Sequence, residues 1–183
     1  LSEALMAVYK LFWDEFSSWY LEMIKPAYGQ GIHSSIHSAA ISYFDNLLHL
    51  LHPFMPFITE ELWQQMYERE EGESLMVCPL TINTYVDADT IRQFEVVKEV
   101  ISNIRSIRLQ KNIAQKEPLT LQVVGENPVA EFSAVILKMC NLTAIDVVDA
   151  KTEGAASFMV GTTEYAVPLG NMIDVEAEIA RME

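Results

Sequence analysis

The stretch Leu50-Leu51-His52-Pro53-Phe54-Met55-Pro56-Phe57-Ile58-Thr59-Glu60-Glu61-Leu62-Trp63 decides how this chain is read. It holds the end of one helical pattern, a corner braced by Pro53 and Pro56, and the start of another. Proline removes a backbone donor and fixes φ, so the pair stops one helix and sets the direction of the next. Thr59 has the residue type of an N-cap for a helix over Glu60–Glu68, with Glu60 and Glu61 at the positive end of its dipole. Upstream, Ile36, Ala40, Tyr43, Leu47 and Leu51 predict a helix from about Ser34 to Leu51. Before that, Leu5, Val8, Phe12, Phe16, Trp19 and Met23, widened by Tyr9, Trp13 and Tyr20, predict a helix over residues 3–25, stopped by Pro26 and by Gly29 and Gly31. So broad an aromatic face implies a helix covered on more than one side. If its neighbours are missing, the face is expected to stand as a large exposed apolar patch.

Working downstream, the composition shifts near Tyr85. Asp87 or Asp89 can cap a long helix to about Lys111, built on Ile91, Phe94, Val97, Ile101, Ile104 and Ile107/Arg108. Leu119–Val124 reads as a strand, Pro128 to Cys140 as a helix and Thr143–Val148 as a strand. Ala156–Gly161 and Glu164–Leu169 flank a Gly-Thr-Thr turn and read as a hairpin. A new helix begins at Ile173. The fold class is therefore α+β, mainly α: a helical-bundle portion over residues 1–86, then a small α+β subdomain over residues 87–172.

Composition bounds the function. Half of the 183 residues are hydrophobic, which excludes disorder, and only 7 glycines and 7 prolines interrupt them, which excludes collagen-like and low-complexity chains. With 12 Lys+Arg against 26 Asp+Glu the net charge is −14, the wrong sign for a protein that simply coats DNA or RNA. Cys78 and Cys140 make no disulfide framework and suit a reducing compartment. No apolar run is long enough for a bilayer, so no membrane partner is expected. The first residues carry no signal-peptide pattern. Both ends read as cut, and the chain is expected to be a piece of a larger cytoplasmic protein.

Candidate chemistry is sparse. His33 and His37, and His49 and His52, form two close pairs, but no Cys-x-x-Cys or His-Glu-x-x-His pattern supplies further ligands. No metal site is expected. Glu60 and Glu61 point about 100° apart on a helix, so they read as helix-start acids rather than an acid–base pair. There is no Gly-x-Ser-x-Gly elbow and no glycine-rich phosphate loop. The segment is expected to carry no active site and no cofactor. The charge distribution says more. Residues 1–86 hold 3 basic and 11 acidic side chains, as do residues 117–183, whereas residues 87–116 hold 6 basic and 4 acidic. Arg105, Arg108, Lys111 and Lys116 follow one another with no acid between them, and the first three fall on a broad strip of one helix and its exit. Such a strip suits phosphates or the docking of the small α+β domain, and equally suits ordinary solvated surface.

Several stretches together resemble the valyl-tRNA synthetases among class I aminoacyl-tRNA synthetases, in their anticodon-binding helical domain. They are Phe12-Trp13-Asp14-Glu15-Phe16, Trp19-Tyr20-Leu21-Glu22 with Lys25-Pro26, and above all Leu50 to Trp63. Asn103 to Arg108, Glu117-Pro118-Leu119 and Gly170 to Ala180 continue the match. Isoleucyl and leucyl relatives share the outline but usually have Ala in the place of His52. The resemblance implies the later helices of a class Ia anticodon-binding bundle and, over residues 173–183, the start of a coiled-coil arm helix. It places the Rossmann catalytic core, the editing domain and the first bundle helices upstream. It implies a parent enzyme that joins valine to tRNA(Val) through a valyl-adenylate with ATP and Mg, tRNA(Val) being its partner. By the Trp-Tyr-Leu-Glu match, Trp19, Tyr20, Leu21, Glu22 and Lys25 are the expected anticodon contacts, Leu21 foremost as an apolar base contact. Arg105, Arg108 and Lys111 are the secondary candidates. The rival readings are the same region of an isoleucyl or leucyl enzyme, a non-catalytic helical protein-interaction module, and a metalloenzyme.

Overall fold

The computed structural model describes residues 2–80 and 85–170. The chain divides between Tyr85 and Val86 into two compact units.

In the first unit, helix α1 passes through three segments: Ser2–Lys10, Leu11–Tyr20 with the wider π winding, and Leu21–Ile24. The Leu21 N–H bonds back to the Phe16 carbonyl, and the Ser18 hydroxyl to the Trp13 carbonyl at 2.9 Å, both five residues back. Phe12, Phe16 and Tyr20 form a ladder of rings, with centroids 6.3 and 5.7 Å apart. Helix α2, Ser34–Leu51, meets this ladder through Phe44, whose ring lies 6.2 Å from Phe12 and 6.1 Å from Phe16. Of all the described residues of α1, only Phe16 is buried. Leu5, Met6, Tyr9, Leu11 and Trp13 are exposed, so the aromatic face that predicted cover on several sides is the expected apolar patch instead. On α2, Leu47 and Leu48 are buried, while Ile36 and Tyr43, expected in the core, are exposed.

Helix α3 runs over Pro56–Met66, starting four residues earlier than Thr59 capping would place it. Pro56 occupies the first turn, where its missing N–H costs nothing, and Met55 is the capping residue. Thr59 is a buried member of the helix. Its hydroxyl donates to the carbonyls of Met55 at 2.8 Å and Pro56 at 3.2 Å. Glu60 and Glu61 therefore lie past the first turn, and Glu60 works on the following loop. Its Oε2 accepts from the Ser74 hydroxyl and the Leu75 N–H, each at 3.0 Å. That fastening sets Leu75 against Leu48 and Trp63, a buried cluster flanked by Phe44, Leu62, Met66 and Cys78. Burying each such side chain contributes roughly 2 kcal/mol. The Arg69 guanidinium covers the Trp63 ring, 3.3 Å from its centroid.

The second unit is a helix on a mixed sheet. Helix α4, Ala88–Gln110, is capped by Asp87, which accepts from the N–H groups of Asp89 and Thr90. Strand β1 (Leu119–Val124) pairs in parallel with β2 (Leu142–Val148) and antiparallel with β4 (Thr163–Val167), which pairs with β3 (Ala156–Val160). The order across the sheet is β2-β1-β4-β3. The parallel β1–β2 pair requires a crossover, supplied by a turn at Ala130–Phe132 and helix α5, Ser133–Cys140. Val97, Val100, Ile101 and Ile104 of α4 are fully buried, as are Leu121 and Val123 of β1 and Tyr165 and Ala166 of β4. Ile91, expected in this core, is exposed. The helix expected from Ile173 and the coiled-coil segment over residues 173–183 lie outside the described residues.

Candidate nucleic-acid interface

The end of α1 gathers the first group of predicted contacts. Trp19 and Tyr20 are half-buried, whereas Leu21, Glu22 and Lys25 are exposed. Tyr20 stacks on Phe16 and meets the Tyr43 ring edge-on at 5.3 Å. Burial, and then the neighbouring Tyr43, pushes its phenol pKa up, so it stays a neutral hydroxyl. Two open grooves flank Phe16. Leu21 lines one of about 220 Å³ with Phe12, Ala40, Ile41 and Phe44. Tyr20 and Tyr43 line the other, about 290 Å³, together with Leu47, Leu50 and the polar Glu15 and Asn46. Such slots accept flat apolar rings, and their polar members offer hydrogen bonds to ring edges. Periodicity assigned Tyr43 to the core, and only its exposure here reveals it as a wall of the groove. Asn46 carried no signal at all. Lys25 pairs with Glu22 at 3.4 Å across exposed side chains, an ion pair weak enough to be redirected by an incoming phosphate.

The basic strip of the second unit does not survive as one surface. Arg105 is exposed and reaches the Met139 carbonyl at 3.5 Å, and Lys111 is half-buried at the end of α4. Arg108, between them, is 1% exposed. Its guanidinium donates to the carbonyls of Ala114 at 2.9 Å, Cys140 at 2.8 Å and Asn141 at 3.3 Å. Arg108 thus presents no exposed guanidinium to a phosphate in this structure. The residue ties the loop after α4 to the end of α5, where the forked donor satisfies the Ala114, Cys140 and Asn141 carbonyls at once.

Three of the four histidines are occupied locally. His33 accepts the Ser35 N–H, His49 lies 3.0 Å from the Asp45 carbonyl, and His52 lies 2.8 Å from the Thr59 hydroxyl. Among the described residues, no three His, Cys, Asp or Glu side chains converge where a metal ion could be held. No helix among them is long and apolar enough to cross a membrane.

An aromatic ridge with open grooves, on a helical unit joined to a small α+β unit, has the build of a recognition module. The chain belongs to the family described as the anticodon-binding domain of tRNA ligase, whose model matches residues 1–124. It is 82% identical over its whole length to the valine–tRNA ligase of Bacteroides thetaiotaomicron, and 54% identical over its whole length to that of Porphyromonas gingivalis. Over 99% of its length it is 34% identical to the valine–tRNA ligase of Enterococcus faecalis. The chain spans about a fifth of the length of these curated relatives, 21% of the first two and 22% of the third.

Proposed function

We propose that this chain is the anticodon-reading part of a valine–tRNA ligase, whose whole polypeptide joins valine to tRNA(Val) through a valyl-adenylate in the cytoplasm. What carries the reading is the match of the family model to residues 1–124, a span that includes the grooves beside Phe16. The valine ligases of three genera among the similar proteins favour it over an isoleucyl or leucyl enzyme. Anticodon loops present splayed bases, which proteins take by stacking and edge hydrogen bonds while cations position the backbone. Trp19, Tyr20 and Leu21 are the apolar contacts of this reading, Glu22 an edge acceptor and Lys25 a phosphate contact. Arg105 and Lys111 are secondary backbone contacts. In this reading the ATP and Mg of the reaction are needs of the whole polypeptide. No chemical step is assigned to this chain.

The test is kinetic. In a full-length valine–tRNA ligase carrying this segment, Leu21→Ala and Lys25→Ala should each raise KM for tRNA(Val) several-fold and leave tRNA-independent valyl-adenylate formation intact. Unchanged KM in both variants would remove the helix-end assignment.

A further inference from the structure

The loop between α1 and α2 carries a feature that the helix-end reading does not use. Tyr28 is the most exposed large apolar side chain among the described residues, at 108% of its reference area. Its presentation is fixed by a turn: the Gln30 N–H bonds to the Ala27 carbonyl at 2.9 Å, and Gly29 takes φ +80. That is the pattern of a type II turn, with Tyr28 at its first corner and the glycine where φ must be positive. Nothing lies within 4 Å of the place a Cβ would take on Gly29 or Gly31, so the backbone beside the ring is open to close approach.

Charge singles out the same loop. From Glu22 to Asp45 the sequence has no carboxylate, the longest such interval in a chain of net charge −14, and it holds Lys25, His33 and His37. His33 Nδ1 accepts the Ser35 N–H, which leaves Nε2 as the ring donor of an exposed imidazole. The amino end of the 18-residue helix α2 starts at the next residue and adds its positive dipole end. An exposed ring on a hydrogen-bonded turn, with cationic and donor groups on either side and no acid within the loop itself, is the chemistry that takes an unpaired nucleotide. The ring receives the base face and the flanking groups receive the phosphate.

We propose that the Lys25–His33 loop is an RNA contact in its own right, in which Tyr28 stacks on an unpaired base while Lys25, His33 and the start of α2 hold the adjoining phosphate. The proposal rests on the tRNA-binding reading and adds to it a second base position beyond the grooves of α1. The test uses full-length valine–tRNA ligase carrying this segment, with tRNA(Val) transcripts bearing 5-iodouridine in the anticodon loop. Irradiation should crosslink the loop to Tyr28. Tyr28→Ala should weaken tRNA binding about tenfold, and Tyr28→Phe should restore it, because stacking needs the ring and not the hydroxyl. Unaltered binding by Tyr28→Ala, with binding weakened by Leu21→Ala, overturns the loop contact and leaves the tRNA reading standing. Loss in Tyr28→Ala that Phe fails to restore overturns stacking. No crosslink and no effect of either alanine variant overturns both.

Discussion

The His52 Nδ1 atom lies 2.8 Å from the Thr59 hydroxyl oxygen, joining the end of α2 to the second turn of α3 across the proline corner. Because Thr59 gives its own proton to the Met55 carbonyl, the imidazole is the donor, which sets its tautomer. The corner is thus held by a relay of two hydrogen bonds in addition to the backbone restrictions of Pro53 and Pro56. Thr59→Val keeps the shape but leaves the His52 N–H without its acceptor. It should cost about 1–2 kcal/mol of stability, measured by urea unfolding.

Glu60 predicts an acid-sensitive loop. The Gln64 amide, with help from the Ser74 hydroxyl and the Leu75 N–H, holds its carboxyl below the ordinary value of 4.5, partly opposed by burial. A depressed folded-state pKa means the unfolded chain takes up the proton first. Its stabilisation is complete above about pH 4.5 and is lost as pH falls through the lower folded value. Glu60→Gln should therefore be less stable than the parent at pH 7, and the gap should close on acidification. A gap that stays constant from pH 7 to pH 3 would show that the charge is not what fastens Leu75.

Arg108 should behave as a structural residue. Arg108→Met leaves the Ala114, Cys140 and Asn141 carbonyls without their shared donor and should cost about 2–3 kcal/mol. Arg108→Lys should rescue little, since one ammonium cannot reproduce the planar fork. In tRNA binding, the salt dependence should be unchanged by Arg108→Lys and reduced by Arg105→Ala.

The two cysteines should react at very different rates. Cys140 is 1% exposed, and burial pushes its thiol up to about 11, whereas Cys78 is half-buried. At pH 8, iodoacetamide should modify Cys78 first and reach Cys140 only when the second unit unfolds, as mass spectrometry of peptides across a urea series would report.

Much of the element order is legible in the sequence, because helices and strands are written in local spacing. The α2 pattern, the cap at Asp87, the β1 strand and the β3–β4 hairpin each rest on residues within a few positions of one another. Boundaries slip where a short-range rule has a competitor. At the corner, Thr59 and Pro56 are both helix-start residues, and Pro56 wins because its ring can occupy the first turn while the threonine side chain is spent on the carbonyls behind it. The π winding of Leu11–Tyr20 has no sequence rule of comparable reach, and its wider turn aligns Phe12, Phe16 and Tyr20 where the 3.6-residue period puts Trp19 after Phe16.

The candidate site is readable in the sequence only in part. Residue type and resemblance point to Trp19 through Lys25, and the structure shows grooves there that no periodicity could outline. The charge-run reading leaves several roles open for Arg108, because a sequence shows a side chain's charge but not which carbonyls converge on it. Tyr28 has the residue pattern of an ordinary loop position, and what distinguishes it is its turn and its full exposure.

By itself, the order of residues determined the helical and strand segments, the proline corner, the acidic balance and the family resemblance. All of these depend on chemistry between near neighbours or on residue identity. Only tertiary structure decided that Phe16 is buried while Trp13 is exposed, that Glu60 fastens Leu75, and that Arg108 is a buried clamp between its surface neighbours Arg105 and Lys111. Those outcomes turn on which surfaces meet across long gaps in the chain, such as the 32 positions between Arg108 and Cys140. At that range packing and the desolvation of charge, rather than local propensity, set the free energy.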